Sequence, residues 1–393
     1  MTSPSLSAGE GFGPLSYARS RLYLGISGVG TAVVAAACLL FFDIPATGFS
    51  TSVEQSLGRS LFALGIFFAM APALLFIFDL LGGAWFIRRK SDAPVWMFSW
   101  VRGVALQWGV WMLVAATLMA TARTAGPLAT VGIFAAVQLL LALARGRLAQ
   151  IVAALPVVVP SPVLLQAAER AGIEARRLLV VDTTDEGFVG GWSSIAPRTL
   201  VIPRRWELLP VDVLAAQLVR RQVVATSGAH VRGVFAAIAW NTLGFVLVQQ
   251  WLGATPATAA GLVSIMAGMT LWAFLGVLLL PTVSRAAVYA ADSAAAATVG
   301  AAAVKASIER LDAWQDDEPT RPPTVERVFH PVPSRTNRIA ALGEGRRTAL
   351  GWRHAHNVAR QALWLGWGTF SPISRAVHCN VGRPALWVML PGD

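Results

Sequence analysis

The side chains able to bind a metal ion are few, and their spacing does not form a hydrolytic site. The five histidines are His230, His330, His354, His356 and His378. His354 and His356 form an H-x-H pair and His378 precedes Cys379, but no glutamate accompanies these pairs at a helical spacing. A catalytic zinc needs three protein ligands, an open position for water and a base beside it. We therefore predict no metal, no cofactor and no catalytic residue, and we interpret these histidines as exposed or membrane-interface residues. A zinc site rebuilt from them remains the alternative.

The composition is that of a membrane protein. Of the 393 residues, 55% are hydrophobic and only 13% are charged, which is too apolar for a soluble chain. The net charge of +11 comes almost wholly from arginine, a bias typical of GC-rich bacterial genomes. A basic chain is also compatible with nucleic-acid binding, but positive charge beside membrane spans explains the balance here. We therefore predict membrane lipids as partners and no nucleic acid.

Six apolar stretches are long enough to cross a bilayer, which takes about 20 residues each. They cover residues 22–42, 61–81, 103–122, 124–144, 234–252 and 258–280. The fourth stretch stops at Arg145 and Arg147, and Gly253 and Pro256 divide the last two. Asp79, near the interior of the second stretch, is either a proton or ion site or an interfacial cap, and we favour the cap.

The charge pattern also divides the chain and orients it. We predict a tail (1–18), four transmembrane helices (19–149), a first polar part (150–232), a transmembrane hairpin (233–284), a second polar part (285–342) and a Trp/Arg-rich C-terminal extension (343–393). Arginine and lysine are concentrated in the loops on one side, so the positive-inside rule places both termini and the polar domain in the cytoplasm of a bacterial inner membrane. The expected fold is mostly α, a polytopic membrane protein with a small α+β domain. The extension is expected on a membrane surface or against a partner.

The polar parts contain an ordered series of motifs. Residues 178–181 and 199–202 are expected as strands, with Phe188 and Gly190 between them, and a helix begins after Pro210. Leu209 and Pro210 precede this helix, which carries Leu214, Ala216 and Leu218. Two later motifs follow the hairpin, one with Arg285 and Asp292 and a second that comprises His330, Pro331, Arg338, Ile339 and Leu342.

This series resembles the integral-membrane zinc metallopeptidases of the HtpX and CAAX-prenyl-protease type over residues 60–342. Their zinc helix reads roughly L-P-x-x-x-L-x-A-x-L-x-H-E-x-x-H, and a later glutamate supplies the third ligand. On that pattern the chemical positions hold Arg220, Arg221, Val224 and Val288, whereas Asp292, His330 and Arg338 are retained. Arginine is a permanent cation and valine has no donor atom, so the resemblance implies a peptidase fold with a degenerate zinc motif.

In that family the retained aspartate lies near the first zinc histidine, whose position here is Arg220. A buried guanidinium and a buried carboxylate are each costly alone, and they match each other in geometry. We therefore predict an ion pair between Arg220 and Asp292. The alternative is that Arg220 points to solvent and Asp292 caps a local helix.

Three functions are compatible with these features. The first is a non-catalytic scaffold, regulatory or accessory subunit that binds other membrane protein subunits. The second is an active zinc metalloendopeptidase with a rebuilt site. The third is a chamber between the spans for lipid or small apolar ligands. No nucleophile elbow, P-loop or dinucleotide-binding motif supports another enzyme class.

Overall fold

The fold is mostly helical, as expected for a chain that must pair its backbone polar groups inside a bilayer. The computed structural model describes residues 17–49, 56–85, 93–153, 155–183, 188–193, 195, 199–315, 320–343 and 350–377. The described helices are α1 (Tyr17–Phe41), α2 (Ile44–Gly48), α3 (Leu57–Leu80), α4 (Ala93–Thr124), α5 (Gly126–Ala153), α6 (Pro162–Arg170), α7 (Val211–Thr226), α8 (Ala229–Leu252), α9 (Ala259–Val299), α10 (Ala301–Gln315), α11 (Pro323–Phe329), α12 (Arg335–Gly343), α13 (Val358–Gly368) and α14 (Ile373–Ala376). Short 3₁₀ segments lie at Ala175–Arg177 and Arg204–Leu208, and a π-helical turn at Leu81–Trp85 extends α3.

Six of these helices, α1, α3, α4, α5, α8 and α9, are long and apolar enough to cross a membrane. They cover the six predicted apolar stretches to within two residues at each end, and the protein is a multi-pass membrane protein. The helices are longer than the apolar stretches, however. α5 does not stop at Arg145 but continues to Ala153, because Arg145 is buried against other helices rather than placed at an exposed end.

The last span was also expected to end near residue 280, and it does not. α9 continues without a break to Val299 and includes Pro281 in its interior. The alanine-rich run after Arg285 has a high helix propensity, which favours continuation of the helix. The chain turns only at Gly300, whose φ of 91° suits glycine. Asp292 therefore lies on the same rigid helix as the last span.

A small four-stranded sheet lies between the fourth and fifth spans in the sequence. Its strands are β1 (Val157–Val158), β2 (Leu178–Val181), β3 (Gly191–Trp192) and β4 (Leu200–Pro203), in the order β1-β2-β4-β3. β2 and β4 are parallel, and β1 and β3 pair with them antiparallel. The two strands expected from β-branched and aliphatic runs are thus present, with the second displaced by one residue. α6 and α7 complete this α+β unit, and they pack against each other.

The chain from residue 350 to residue 377, here called the inner segment, lies among the spans. α13 packs against α4, α5, α8 and α9, and α14 packs against α1, α3 and α9, so these two helices contact all six spans. Trp364, Trp367 and Phe370 are buried completely or almost so. The expectation of a surface position for the C-terminal extension is wrong for most of this described part, because Trp364, Trp367 and Phe370 fill the space that the spans enclose, whereas Trp352 is exposed.

Close backbone contacts hold the inner segment in place. The backbone N–H of His356 donates to the carbonyl of Ala229 at 3.0 Å, at the start of α8. A Cβ atom on Gly233 would lie 1.9 Å from the carbonyl oxygen of His356, so only glycine permits this approach. Ser284 accepts a 2.8 Å bond from the N–H of Val358, the first residue of α13. The segment is therefore docked through its backbone as well as through its aromatic side chains.

Candidate functional site

α7 carries the two arginines that occupy the chemical positions of the resemblance, and it is buried on nearly every side. It packs against α6, α9 and α10. Arg220 and Arg221 are 1% and 2% exposed, although consecutive residues on a helix point about 100° apart. Each guanidinium must therefore form its hydrogen bonds inside the protein. Arg220 and Arg221 do so in two different places.

Arg220 reaches the long helix α9 and contacts Asp292. Its Nε donates to Asp292 Oδ1 at 2.5 Å, and both side chains are at most 2% exposed. The predicted contact between Arg220 and Asp292 is confirmed. The alternative, in which Arg220 points to solvent, is wrong because α9 and α10 cover that face of α7.

A second arginine binds the same carboxylate. Arg338, on α12, donates from Nε to Asp292 Oδ2 at 2.8 Å and from Nη2 to Oδ1 at 2.9 Å. This bidentate geometry is the one in which a guanidinium best matches a carboxylate. Asp292 thus joins α7, α9 and α12 through one buried ion cluster. The sequence predicted the contact between Arg220 and Asp292 but not the participation of Arg338.

Polar neighbours extend the cluster toward α10. Gln217, one turn before Arg220, accepts a 3.3 Å bond from Arg220 Nη1. Its amide also donates to the hydroxyl of Ser307 on α10. Gln217 and Ser307 are buried at 1% and 0% exposure, so these bonds satisfy groups that water does not reach.

Arg221 binds the segment that precedes β3. Its Nη2 donates to the carbonyl of Val189 at 2.7 Å, and its guanidinium lies 4.3 Å from the ring centroid of Trp206. The neighbouring carbonyl, that of Phe188, accepts a 2.7 Å bond from Arg205. Gly190 has a φ of 68° and no space for a Cβ atom, so this segment lies directly against β4. The carbonyls of Phe188 and Val189 are therefore both bonded to arginine side chains.

Glu326, on α11, forms a second ionic contact beside the cluster. It accepts from Arg285 and, at 2.9 Å, from Asn337 Nδ2. Burial raises the pKa of Glu326. Hydrogen bonds from Ser334 and Asn337 and the charge of Arg285 lower it by more than burial raises it, so the pKa of Glu326 lies below its ordinary value.

The ionised Glu326 carboxylate therefore stabilises the fold at neutral pH. That contribution is complete above the ordinary glutamate pKa of about 4.3 and is lost as the pH falls through the lower folded value. We expect Glu326→Gln to melt at a lower temperature than the parent near neutral pH, and the two melting temperatures to converge only as the pH falls below the lowered pKa of Glu326 in the folded protein. A difference that stays constant across this range would contradict the assignment.

The histidines do not come together as a metal site. Within the described ranges, no group of three histidine, cysteine, aspartate or glutamate side chains is arranged to hold a metal ion. His230 and His356 are buried where the start of α8 meets the inner segment, and His330 is buried at the end of α11, so the expectation of exposed positions is wrong for these three. His354 Nδ1 accepts the N–H of Gly351 at 3.0 Å. His378 and Cys379 lie outside the described residues.

The remaining positions of the resemblance are apolar and buried. Val224 and Val288 are 1% and 0% exposed. Neither offers an atom that binds a metal. Val288 lies one turn before Asp292 on α9, so the cations of Arg220 and Arg338, which bind Asp292, lie on the same side of α9 as Val288. The side chains gathered here are suited to hold a carboxylate, and they do not provide the donors that zinc requires.

Two further buried charges, Asp79 and Arg145, have partners that the sequence did not predict. Asp79 is 3% exposed and is not an interfacial cap, since Arg375 of the inner segment donates to it at 2.6 Å and Trp100 at 2.8 Å. Arg145 is fully buried beside Gln361. In the sequence both residues stand at the ends of apolar stretches, where charge ordinarily marks the membrane boundary, so no sequence signal separated them from boundary residues.

A solved structure has a similar architecture. The chain superposes on the crystal structure of S. mikatae Ste24p with a TM-score of 0.66, over 83% of this chain and 86% of that chain. The chain has the fold of Ste24p. Sequence identity is only 13%, so the likeness concerns the fold alone. No protein-family model and no curated protein matches the sequence.

Proposed function

We propose that this protein is a non-catalytic, peptidase-like membrane protein that serves as a scaffold, regulatory or accessory subunit of a membrane protein complex. The observation that carries the proposal is the buried ion cluster of Arg220, Asp292 and Arg338. On the register of the resemblance, this cluster stands where the peptidase family holds zinc, and it replaces the metal as the link between α7 and α9.

The residues at those positions do not fit a zinc ion. Arg220 and Arg338 hold a net positive charge around Asp292, and a divalent cation placed among them would be repelled in a site shielded from water. Val224 and Val288 provide no lone pair, and Arg221 cannot act as a general base because its guanidinium stays protonated. We therefore assign no hydrolytic step to this site.

The segment before β3 supports the same proposal. In the family this region holds the backbone of the substrate, which requires free carbonyl and N–H groups. Here the carbonyls of Phe188 and Val189 accept bonds from Arg205 and Arg221. A peptide would have to displace two arginines to pair with them, so a partner is expected on the outer surfaces of the protein rather than in the old cleft.

The proposed location is a bacterial inner membrane, with both termini in the cytoplasm. This proposal rests on the distribution of arginine and lysine among the loops. The sheet unit between α5 and α8 then lies on the cytoplasmic side as well.

The two other functions are less well supported. A chamber for apolar ligands requires open space between the spans, and α13 and α14 contact all six spans from within. A rebuilt zinc site requires a new ligand set, and the described part of the chain does not provide one.

The proposal is tested on the purified protein by metal analysis and by a proteolysis assay with and without a chelator. We expect no stoichiometric zinc, no chelator-sensitive cleavage of an unfolded substrate, and one membrane protein that co-purifies at a fixed ratio in mild detergent. The variant Arg220→His, Arg221→Glu, Val224→His, Val288→Glu serves as the positive control for zinc uptake, since it restores the full ligand set. Stoichiometric zinc or chelator-sensitive cleavage by the unmodified protein would overturn the proposal.

A further inference from the structure

We propose that the end of the spans facing the sheet contains an oxyanion-binding site formed by Arg145, Gln361, Trp364 and Trp367. The ligand would be a phosphate group, carried either by inorganic phosphate or by a lipid headgroup. The proposal is independent of the function argued for the α7 site, because none of its residues belongs to that site.

The guanidinium of Arg145 is buried without a counter-charge. Arg145 is 0% exposed, and its Nη2 donates to the side-chain oxygen of Gln361, a neutral group. Its Nε and Nη1 have no hydrogen-bond partner in the described chain, and no described carboxylate forms an ion pair with it. Most buried charges in proteins are paired, so this exception needs an explanation.

Further N–H groups without acceptors lie beside it. Gln361 Nε2 and the indole N–H groups of Trp364 and Trp367 are buried and lack an acceptor among the described residues. Arg145 lies 5.9 Å from the ring centroid of Trp364, whose ring stacks on that of Trp367 with centroids 5.1 Å apart. One small region thus combines a buried cation with several N–H groups that have no acceptor among the described residues.

The helix geometry adds positive potential at the same place. Gln361 belongs to the first turn of α13, and the amino-terminal end of a helix carries a partial positive charge. Gly146, the residue after Arg145, lies against Ser193 at the end of β3, which places the cluster at the end of the spans near the sheet. Anions bind to helix amino termini and to arginine for the same electrostatic reason.

An oxyanion matches these donors better than a carboxylate from the chain does. A phosphate presents several acceptor oxygens, and arginine and indole N–H groups are donors only. The donors are enclosed by protein, so the ligand enters during folding or when the side chain of Gln361 and the start of α13 move aside. Bound in this way, it would also fasten the inner segment to α5.

The test compares thermal unfolding of the full-length protein in detergent, followed by tryptophan fluorescence, in phosphate and in a zwitterionic buffer of equal ionic strength. If the ligand is free phosphate, we expect it to raise the melting temperature of the parent and of Arg147→Gln, an exposed arginine on the same helix, but not that of Arg145→Gln. Without phosphate, Arg145→Gln should melt no lower than the parent, because it removes an uncompensated charge.

A second variant provides the counter-charge within the chain. Gln361→Glu places a carboxylate opposite Arg145, so it should melt above the parent in the absence of phosphate and should no longer respond to it. This variant keeps the size of the side chain and does not depend on the folding of Arg145→Gln.

Native mass spectrometry distinguishes the two sources of phosphate. A phospholipid retained by the parent and by Arg147→Gln, but lost from Arg145→Gln and Gln361→Glu, would assign the site to a lipid headgroup, whether or not inorganic phosphate shifts the melting temperature. The proposal is overturned if the parent neither responds to phosphate nor retains a phospholipid. It is also overturned if Arg145→Gln responds as the parent does, or if Gln361→Glu melts below the parent.

Discussion

Replacing Asp292 with alanine is expected to lower the free energy of unfolding by about 3–5 kcal/mol, because it strands buried cations. Asp292 binds both Arg220 and Arg338, and all three side chains are at most 7% exposed. The measurement is chemical denaturation of the purified protein in mild detergent. Loss of Asp292 should also loosen α12 from α9, since the bidentate contact with Arg338 joins them.

A surface ion pair on the same helix provides the matched control. Asp212, in the first turn of α7, accepts from Arg170 at 2.5 Å, but its side chain is 74% exposed. Exposed pairs contribute about 0–1 kcal/mol, so Asp212→Ala should change the stability little. If Asp292→Ala costs no more than Asp212→Ala, the buried cluster does not hold these helices together.

The number of substitutions needed to remove the cluster follows from the second arginine. If Arg220 and Asp292 paired only with each other, replacing both with apolar residues would leave no buried charge. Because Arg338 shares the carboxylate, that double variant still leaves one buried cation. We expect stability to recover only when Arg338 is replaced as well, since a whole buried ion cluster can be exchanged for apolar side chains at little cost.

The sequence predicts the architecture well where composition and periodicity determine it. Long uncharged stretches can only be spans, and two short β-branched or aliphatic runs predicted two of the four strands, β2 and β4. Helix ends were less predictable. The sequence predicted that the fourth span stops at Arg145 and the last near residue 280, yet α5 continues past Arg145 and α9 past Pro281, because tertiary contacts decide where those helices end.

The candidate site was predictable in part for a similar reason. The contact between Arg220 and Asp292 follows from the cost of two buried charges and from the motif positions. The share of Arg338 in that contact does not follow, since its distance from Asp292 depends on how α12 packs. Arg375 and Asp79 are almost 300 residues apart, and no local pattern relates them. Contacts of this range need the folded chain.

The inner segment depends on that contact between Asp79 and Arg375. Arg375 lies just before the end of the described chain, and its Nη2 binds Asp79 Oδ2 at 2.6 Å while its Nη1 binds Gln107 at 3.1 Å. The ring of Phe370, five residues earlier, stacks on that of Phe68 in α3. The backbone φ of Phe370 is 69°, a conformation that bulky residues rarely adopt. A strained backbone persists only where the surrounding contacts enforce it, so the ion pair and the aromatic packing must act together.

Replacing Asp79 with alanine is accordingly expected to cost about 3–5 kcal/mol, because it leaves the Arg375 cation buried, and to release the end of the inner segment. Ser374, next to Arg375, is 1% exposed and reports the release when it is changed to cysteine in a chain whose Cys38 and Cys379 are serine. A thiol reagent should react with position 374 in the Asp79→Ala protein and not in the parent.

Asp182→Ala, which removes an exposed partner of Arg204, is the control and should leave position 374 protected. Replacing Asp79 and Arg375 together with leucine and methionine should restore much of the protection, because no buried charge remains. If position 374 stays equally protected in Asp79→Ala, the aromatic contacts alone hold the inner segment among the spans.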